Sequence, residues 1–242
     1  MSIRKKILAI SIGPVLVLGV ITLLFMLTMV KSSLMDEVQD ALKGTAAATL
    51  AAYDQNTGDY LESTNGDIWK GSYNISKSES LVDRIKENTG MDVTFFYGNK
   101  RIMTSALDKK GNRILGSEAG ERVVNQVIKG KKPFFSTNVS LDGTRNYGYF
   151  IPVYQNGTTD QVIGMVFVGT NKARKDAIVN KILGSIMMAL LVVMLLCIVT
   201  AMRMAASISK NIKNSVAVVG KLADGDLNVW VCLLYTSDAA DD

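Results

Sequence analysis

Two stretches of the chain carry no charged residue, Ile7 to Val30 and Ile182 to Met202. Each falls near the ~17–25 apolar residues that a helix needs to cross a bilayer. The pattern therefore predicts membrane-spanning helices over 7–30 and 182–202. Beyond the first run, Leu34, Val38, Ala41, Thr45, Ala48 and Ala52 recur at alternating four- and three-residue steps. That spacing is a heptad stripe, and it predicts a helix continuing the first span outward. The stripe is small and Ala-rich, which suits close packing against a sheet or a second copy of itself. Asn56, Gly58, Asn65, Gly66 and Gly71 then break the pattern around Trp69. Leu81, Val82 and Ile85 share one face of a second helix, expected from about Ser80 to Asn88. Gly90 is placed to cap it.

After Gly90 the period changes to two. Val93 to Tyr97, the pair Gly98-Asn99 and Lys100 to Thr104 together predict a β-hairpin. Ser117 stands where an N-cap would open a short helix bearing Val123, Val124, Val127 and Ile128, with Gly130 at its end. Three more strands are expected at Phe134 to Leu141, Tyr147 to Tyr154 and Val162 to Gly169. Asp142-Gly143 and Asn156-Gly157 supply the turns between them. The economical packing of these elements is α+β, an antiparallel five-stranded sheet with helices on one face.

Composition narrows the function. The chain is 48% hydrophobic but only 20% charged, below the ~25% charge of an average soluble domain. The deficit sits in the two apolar runs. A fully soluble enzyme is excluded, and so is a transporter with many spans. Residues 31–181 hold 20 basic against 17 acidic residues, scattered rather than clustered. That distribution excludes the basic stripe of a nucleic-acid binder. There is no His, and neither Cys197 nor Cys232 lies in the middle domain. The domain therefore offers no imidazole base, no thiolate metal site and no disulfide, and no metal or cofactor is expected. Asp54, Asp59, Glu62 and Asp67 are spaced irregularly, as on a solvated face. The middle domain is expected to bind rather than catalyse.

Arg4, Lys5 and Lys6 precede the first run, and Arg203, Lys210 and Lys213 follow the second. The positive-inside tendency puts both ends in the cytoplasm. Lys172, Arg174, Lys175 and Lys181 oppose that tendency from the outer side. The charge rule is weak for long translocated loops, so the two-span hairpin stands. A cleaved signal peptide is the competing assignment for the first run, but such cores usually span about 7–15 residues and end in a small-residue cleavage site. This run passes directly into Lys31-Ser32-Ser33.

Several of these pieces resemble a known family. The anchored helix, the Phe-rich hairpin and above all the strands Tyr149-Phe150-Ile151-Pro152-Val153-Tyr154 and Ile163-Gly164-Met165-Val166-Phe167-Val168-Gly169 are similar to the extracellular single Cache sensor domain, a PAS-like fold. The resemblance implies a Cache domain over 31–181 between spans at 7–30 and 182–202, with residues 1–6 cytoplasmic. Farther on, Ile208, Ile212, Ser215, Val219 and Leu222 keep heptad steps into Leu222-Ala223-Asp224-Gly225-Asp226-Leu227. This is similar to the first helix of a HAMP linker over 203–231, although Asn211 stands where a Pro is usual. The alternative is a plain juxtamembrane helix. Residues 232–242 resemble the in-frame translation of a sequencing-library adaptor, which would leave the chain a fragment; a genuine acidic tail is the other reading.

The combination implies the sensory half of a bacterial methyl-accepting chemotaxis protein. Such a receptor is a multi-pass homodimer in the plasma membrane that contacts lipid and reaches cytoplasmic signalling proteins through an output domain. A sensor histidine kinase or nucleotide cyclase could carry the same input half. Dicarboxylate-sensing relatives carry an Arg and, three residues on, a His in the second hairpin strand. Here Arg101 matches the first and Thr104 replaces the second. Those relatives also carry an Arg four residues before the strand Pro, where this chain has Gly148, and an aromatic two before it, matched by Phe150. The resemblance thus nominates Arg101, Thr104, Tyr149, Phe150 and Trp69 as ligand-binding residues for a small organic acid or amino acid. Arg101 reads equally as surface charge beside Lys100, and the aromatic residues equally as core.

Overall fold

A computed structural model describes residues 3–224. In chain order the elements are α1 (Ile3–Asp54), β1 (Tyr60–Glu62), β2 (Ile68–Lys70), β3 (Tyr73–Asn74), α2 (Glu79–Thr89), β4 (Asp92–Tyr97), β5 (Lys100–Thr104), α3 (Glu121–Val123), β6 (Phe134–Leu141), β7 (Thr144–Tyr154), β8 (Val162–Asn171) and α4 (Lys172–Ala223). The chain divides into two units, one formed by the segments up to Thr28 and from Gly184, the other by Met29–Leu183.

In the first unit the two helices are long and apolar enough to cross a membrane. Leu18, Phe25, Leu195 and Leu196 are each more than half exposed, a surface that a lipid phase would cover. A Cβ at Gly19 would lie 3.0 Å from Met194 Sδ, so the absent side chain lets the two helices close. The HAMP-like signature at 225–227 and the tail at 232–242 lie outside the described residues.

The second unit is built on an antiparallel five-stranded sheet in the order β5-β4-β8-β7-β6. Successive strand residues point to opposite faces, and both faces are covered. On one face Val93, Phe95, Tyr147, Tyr149, Ile151, Val153, Val166 and Val168 pack against Leu42, Ala46 and Tyr53 of α1 and Val82 of α2. On the other, Phe96, Phe150, Met165 and Phe167 pack against Val127, with Val123 and Ile128 beside them. The expectation of helices on one face is therefore corrected. The α3 segment carries too many apolar side chains to lie in water, and the second sheet face is where they are buried.

The stripe on α1 also needs correction. Leu42, Ala46, Thr49 and Tyr53 are fully buried, while Ala48 is exposed. The buried seam lies one residue beyond the expected one, a rotation of about 100° around the helix. It is set by the large side chains Leu42 and Tyr53. The Tyr53 ring meets Phe95 edge-on at 5.2 Å, and its hydroxyl lies 2.9 Å from Ser78 Oγ. Fully burying a side chain of this size is worth about 1.5–3 kcal/mol, more than an Ala stripe could supply.

The helix after β5 begins later than Ser117 suggested. Its N-cap is Gly120, and after Val123 it widens into a π-helical turn over Val124–Lys129. Ser117 is not a cap because its carbonyl accepts the Arg101 N–H at 2.9 Å, and Ala119 N–H donates to Asn99 at 2.8 Å. Residues 116–119 thus run along the open edge of β5. The region around Trp69, which has no clear sequence pattern, forms a three-stranded antiparallel sheet in the order β1-β2-β3.

Candidate ligand-binding site

Both edge strands of the main sheet are bulged. On β5, Arg101 pairs with Phe96 and Met103 with Phe95, so Ile102 is the extra residue. On β6, Ser136 pairs with Gly148 and Val139 with Asn146, so one of residues 137–138 is extra. A bulge re-aims the side chains that follow it. Without the one at Ile102, Arg101 would share the face of Met103, against α1 and α2. With it, Arg101 shares the face of Phe96, on the α3 side.

There it enters a cavity of about 520 Å³. The aromatic wall is made by Phe96, Phe134, Phe150 and Phe167, with Val123 of α3 opposite. The Phe150 and Phe167 rings are 4.7 Å apart. Ser136, Thr137, Asn138 and Ser140 of β6 bring polar groups along one side, and Glu118 and Arg122 stand at the other. Arg122 is exposed, with its guanidinium 5.4 Å from the Phe134 ring.

Arg101 itself is only 8% exposed. One guanidinium nitrogen, Nη1, donates to the Ile114 carbonyl at 3.3 Å, and the group lies 5.4 Å from the Phe96 ring centroid. Its Nε is buried without any hydrogen-bond partner among the described residues, and no carboxylate lies within ion-pair distance there. Burial draws the guanidinium below its usual pKa, opposed by the charge of Asp92. An arginine in a protein nevertheless stays cationic. A buried donor left unpaired costs about 1–3 kcal/mol, and more for a charged group. The site therefore presents a desolvated cation, a wall of phenylalanine rings and a polar rim, the composition expected of a small-ligand cavity.

Of the five nominated residues, the structure brings Arg101 and Phe150 into this cavity. Thr104 lies on the same face but is fully buried, its hydroxyl 2.7 Å from that of Thr94 and accepting the Ala106 N–H at 3.1 Å. Tyr149 points to the other face, into the core against α1. Trp69 is half-buried on β2, paired with Leu61 and Asn74. Those three do not line the Arg101 cavity. The residues that do, Phe96, Phe134, Phe167 and the β6 hydroxyls, carry no sequence signal beyond their strand alternation, because the bulges decide which face they take. Among the described residues no group of His, Cys, Asp or Glu is arranged to hold a metal.

Gly148 is explained by the same face. A Cβ there would come within 2.4 Å of Phe167 Cε2 and 2.8 Å of Val139 Cγ2. The Phe167 ring occupies the space into which a side chain at this position would project.

The segment 73–182 matches the model of the family described as single cache domain 3. The match runs from β3 through the sheet to the first turns of α4. An extracellular ligand binding receptor from Desulfohalobium retbaense DSM5692 is similar among solved structures, with a TM-score of 0.44 and 14% identity over 62% of this chain. The chain spans about a quarter of that receptor's length, 26%. No curated protein matches the sequence. The fold is Cache-like, with an antiparallel five-stranded sheet, a long helix on each side in sequence, and two apolar helices flanking it.

Proposed function

We propose that this chain is the sensory half of a bacterial transmembrane chemoreceptor of the methyl-accepting type, working as a homodimer. The Cache-like domain lies outside the plasma membrane and binds a small organic acid or amino acid. The second span passes its state to a HAMP linker and from there to an output domain and its cytoplasmic signalling partners. Ligand shifts the domain between two conformations only by its difference in affinity for them. The observation that carries this reading is the buried Arg101 guanidinium with an unpartnered Nε in a cavity of about 520 Å³. One carboxylate held bidentately would supply the missing acceptor, and such charge-assisted bonds are roughly twice as strong as neutral ones. With Phe167 over Gly148, the cavity has no space for a second cation at that position. A single carboxylate therefore suits it better than two or three.

Arg101→Met tests the assignment. It removes an unsatisfied buried charge, so the ligand-free variant should melt at or above the wild-type temperature. A panel of organic acids and amino acids is screened by thermal shift on the full chain in detergent. The best monocarboxylate at 100 times its Kd should stabilise the wild type by about 2.7 kcal/mol and leave Arg101→Met unmoved. Equal stabilisation of both proteins, or citrate as the tightest ligand, overturns the assignment. A histidine kinase or cyclase uses the same input half. The uninterrupted reading frame beyond Val231 separates them, because a long Ala/Glu/Gln-rich helical hairpin marks the chemoreceptor and a phosphoacceptor His with an ATP-binding domain marks the kinase.

A further inference from the structure

A second cavity, of about 430 Å³, lies on the opposite side of the sheet from Arg101, where α1 and α4 pass Tyr147. Its charged residues are Lys31 of α1 and Lys172, Lys175 and Asp176 of α4. Three ammonium groups thus face one carboxylate. That carboxylate is already engaged, because Tyr147 donates its hydroxyl to Asp176 at 2.5 Å. Burial, with the Asp176 bond and charge adding to it, pushes the Tyr147 phenol up to about 12, so it brings no charge of its own. Lys172 is held in place, donating to the Thr137 carbonyl at 3.2 Å with its ammonium 5.2 Å from the Tyr147 ring. Lys31 and Lys175 make no ion pair among the described residues. Beside the lysines, Leu34, Met35 and Val38 of α1 form an apolar wall.

We propose that this groove is a binding site for the phosphate of an anionic phospholipid headgroup, held by Lys31, Lys172 and Lys175 with its apolar part against Leu34, Met35 and Val38. The position fits. Lys31 is the first residue beyond the uncharged run that ends at Val30, inside the headgroup layer of roughly 5–8 Å on each side of the hydrocarbon. Lys175 lies seven residues before Ile182, about 10 Å of helix from the start of the second uncharged run. A free inorganic anion would satisfy the lysines but leave the apolar wall in water, whereas an amphiphile satisfies both. Charge complementarity and the wall together favour the lipid. The proposal also accounts for lysines that stand against the positive-inside tendency.

The test uses the full chain in nanodiscs of phosphatidylcholine alone or with a minority of phosphatidylglycerol, reading the retained lipid by native mass spectrometry. The wild type should keep phosphatidylglycerol several-fold over its share of the bilayer. Lys31→Gln with Lys175→Gln breaks no internal bond seen in the structure, and should cut that preference by about fivefold per lysine. Lys109→Gln with Lys110→Gln, on an exposed turn, should leave it unchanged. Millimolar inorganic phosphate should not raise the melting temperature in phosphatidylcholine nanodiscs. No preference in the wild type, an undiminished preference in the groove variant, or stabilisation by phosphate equal to that by phosphatidylglycerol would each overturn the proposal.

Discussion

Gly148 and Gly169 face each other across β7 and β8, and the Phe167 ring lies over both. A Cβ at Gly169 would approach Phe167 Cζ to 2.4 Å, and one at Gly148 would approach Cε2 to the same distance. The ring is 1% exposed and packed on Phe150, so it has little freedom to withdraw. Adding a methyl group to a filled core costs about 1–3 kcal/mol. Gly148→Ala should therefore lower the unfolding free energy by that amount, read as a lower urea midpoint at unchanged slope. In a Phe167→Leu background, where the ring is gone, the same methyl should cost clearly less, since contacting residues couple by about 0.5–3 kcal/mol. Equal costs in the two backgrounds would show that the ring does not decide this position. The same ring bears on specificity. An arginine at 148, as the resemblance expects of dicarboxylate sensors, could enter only if the Phe167 ring left.

At the scale of elements, the strands, the hairpin and α2 were legible because each rests on local pattern. Gly90 caps α2 with φ 69° and its N–H on the Lys86 carbonyl, as its place after the last apolar residue implied. The bulges at Ile102 and at 137–138 were not legible, since one extra residue leaves the alternation looking regular while reversing which side faces the cavity. For the same reason Arg101 could be nominated but not placed. The sequence pattern places the stripe on α1 one residue off because Ala, Thr and Leu are all tolerable at a helix seam, and the sheet chooses among them. Tertiary contacts also fix the long turn after β5. Arg113 donates to both carboxylate oxygens of Asp83 on α2, at 2.9 and 2.5 Å, and to the Thr104 carbonyl at 2.8 Å. The Arg113 hydrogen bond holds the Asp83 carboxyl below its usual pKa. A carboxylate depressed in the folded state binds fewer protons there than in the unfolded chain, so its contribution is full above about pH 3.9 and is lost as pH falls through the folded value. Asp83→Asn should cost about 0.5–1 kcal/mol at neutral pH, the site being partly exposed and screened. It should also flatten the fall in stability below about pH 4. Asp67 and Asp108 are lowered in the same sense by hydrogen bonds from Asn74 and the Asn112 backbone, so the acid limb should weaken without vanishing. A variant whose acid limb matches the wild type would show that the Asp83–Arg113 pair does not set it.

For the whole molecule the open variable is orientation, and charge pulls it two ways. Arg4, Lys5 and Lys6 on one end and Arg203, Lys210 and Lys213 on the other draw both ends inward, while Lys31, Lys172, Arg174, Lys175 and Lys181 flank the same runs from the opposite side. By count alone the two sides nearly balance. They differ in what they are attached to. The positive-inside bias acts through charges close beside a span and fades for long translocated segments. Arg4, Lys5, Lys6 and Arg203 directly adjoin the uncharged runs, whereas the opposing lysines belong to a folded domain of about 150 residues. Lys172 is moreover committed to Thr137 and the Tyr147 ring, so it reflects the fold of the domain rather than a topological signal. The bias of residues 4–6 and 203–213 should therefore prevail, with the Cache-like domain outside. In a background where Cys197 and Cys232 are replaced by Ser, Asn112→Cys and Lys213→Cys each place one thiol at an exposed position. An impermeant maleimide should label Asn112→Cys in intact cells and Lys213→Cys only after permeabilisation. The reverse pattern would put the domain in the cytoplasm and would remove the extracellular sensor from the proposed function, while the lipid groove, which needs only an adjoining leaflet, would stand.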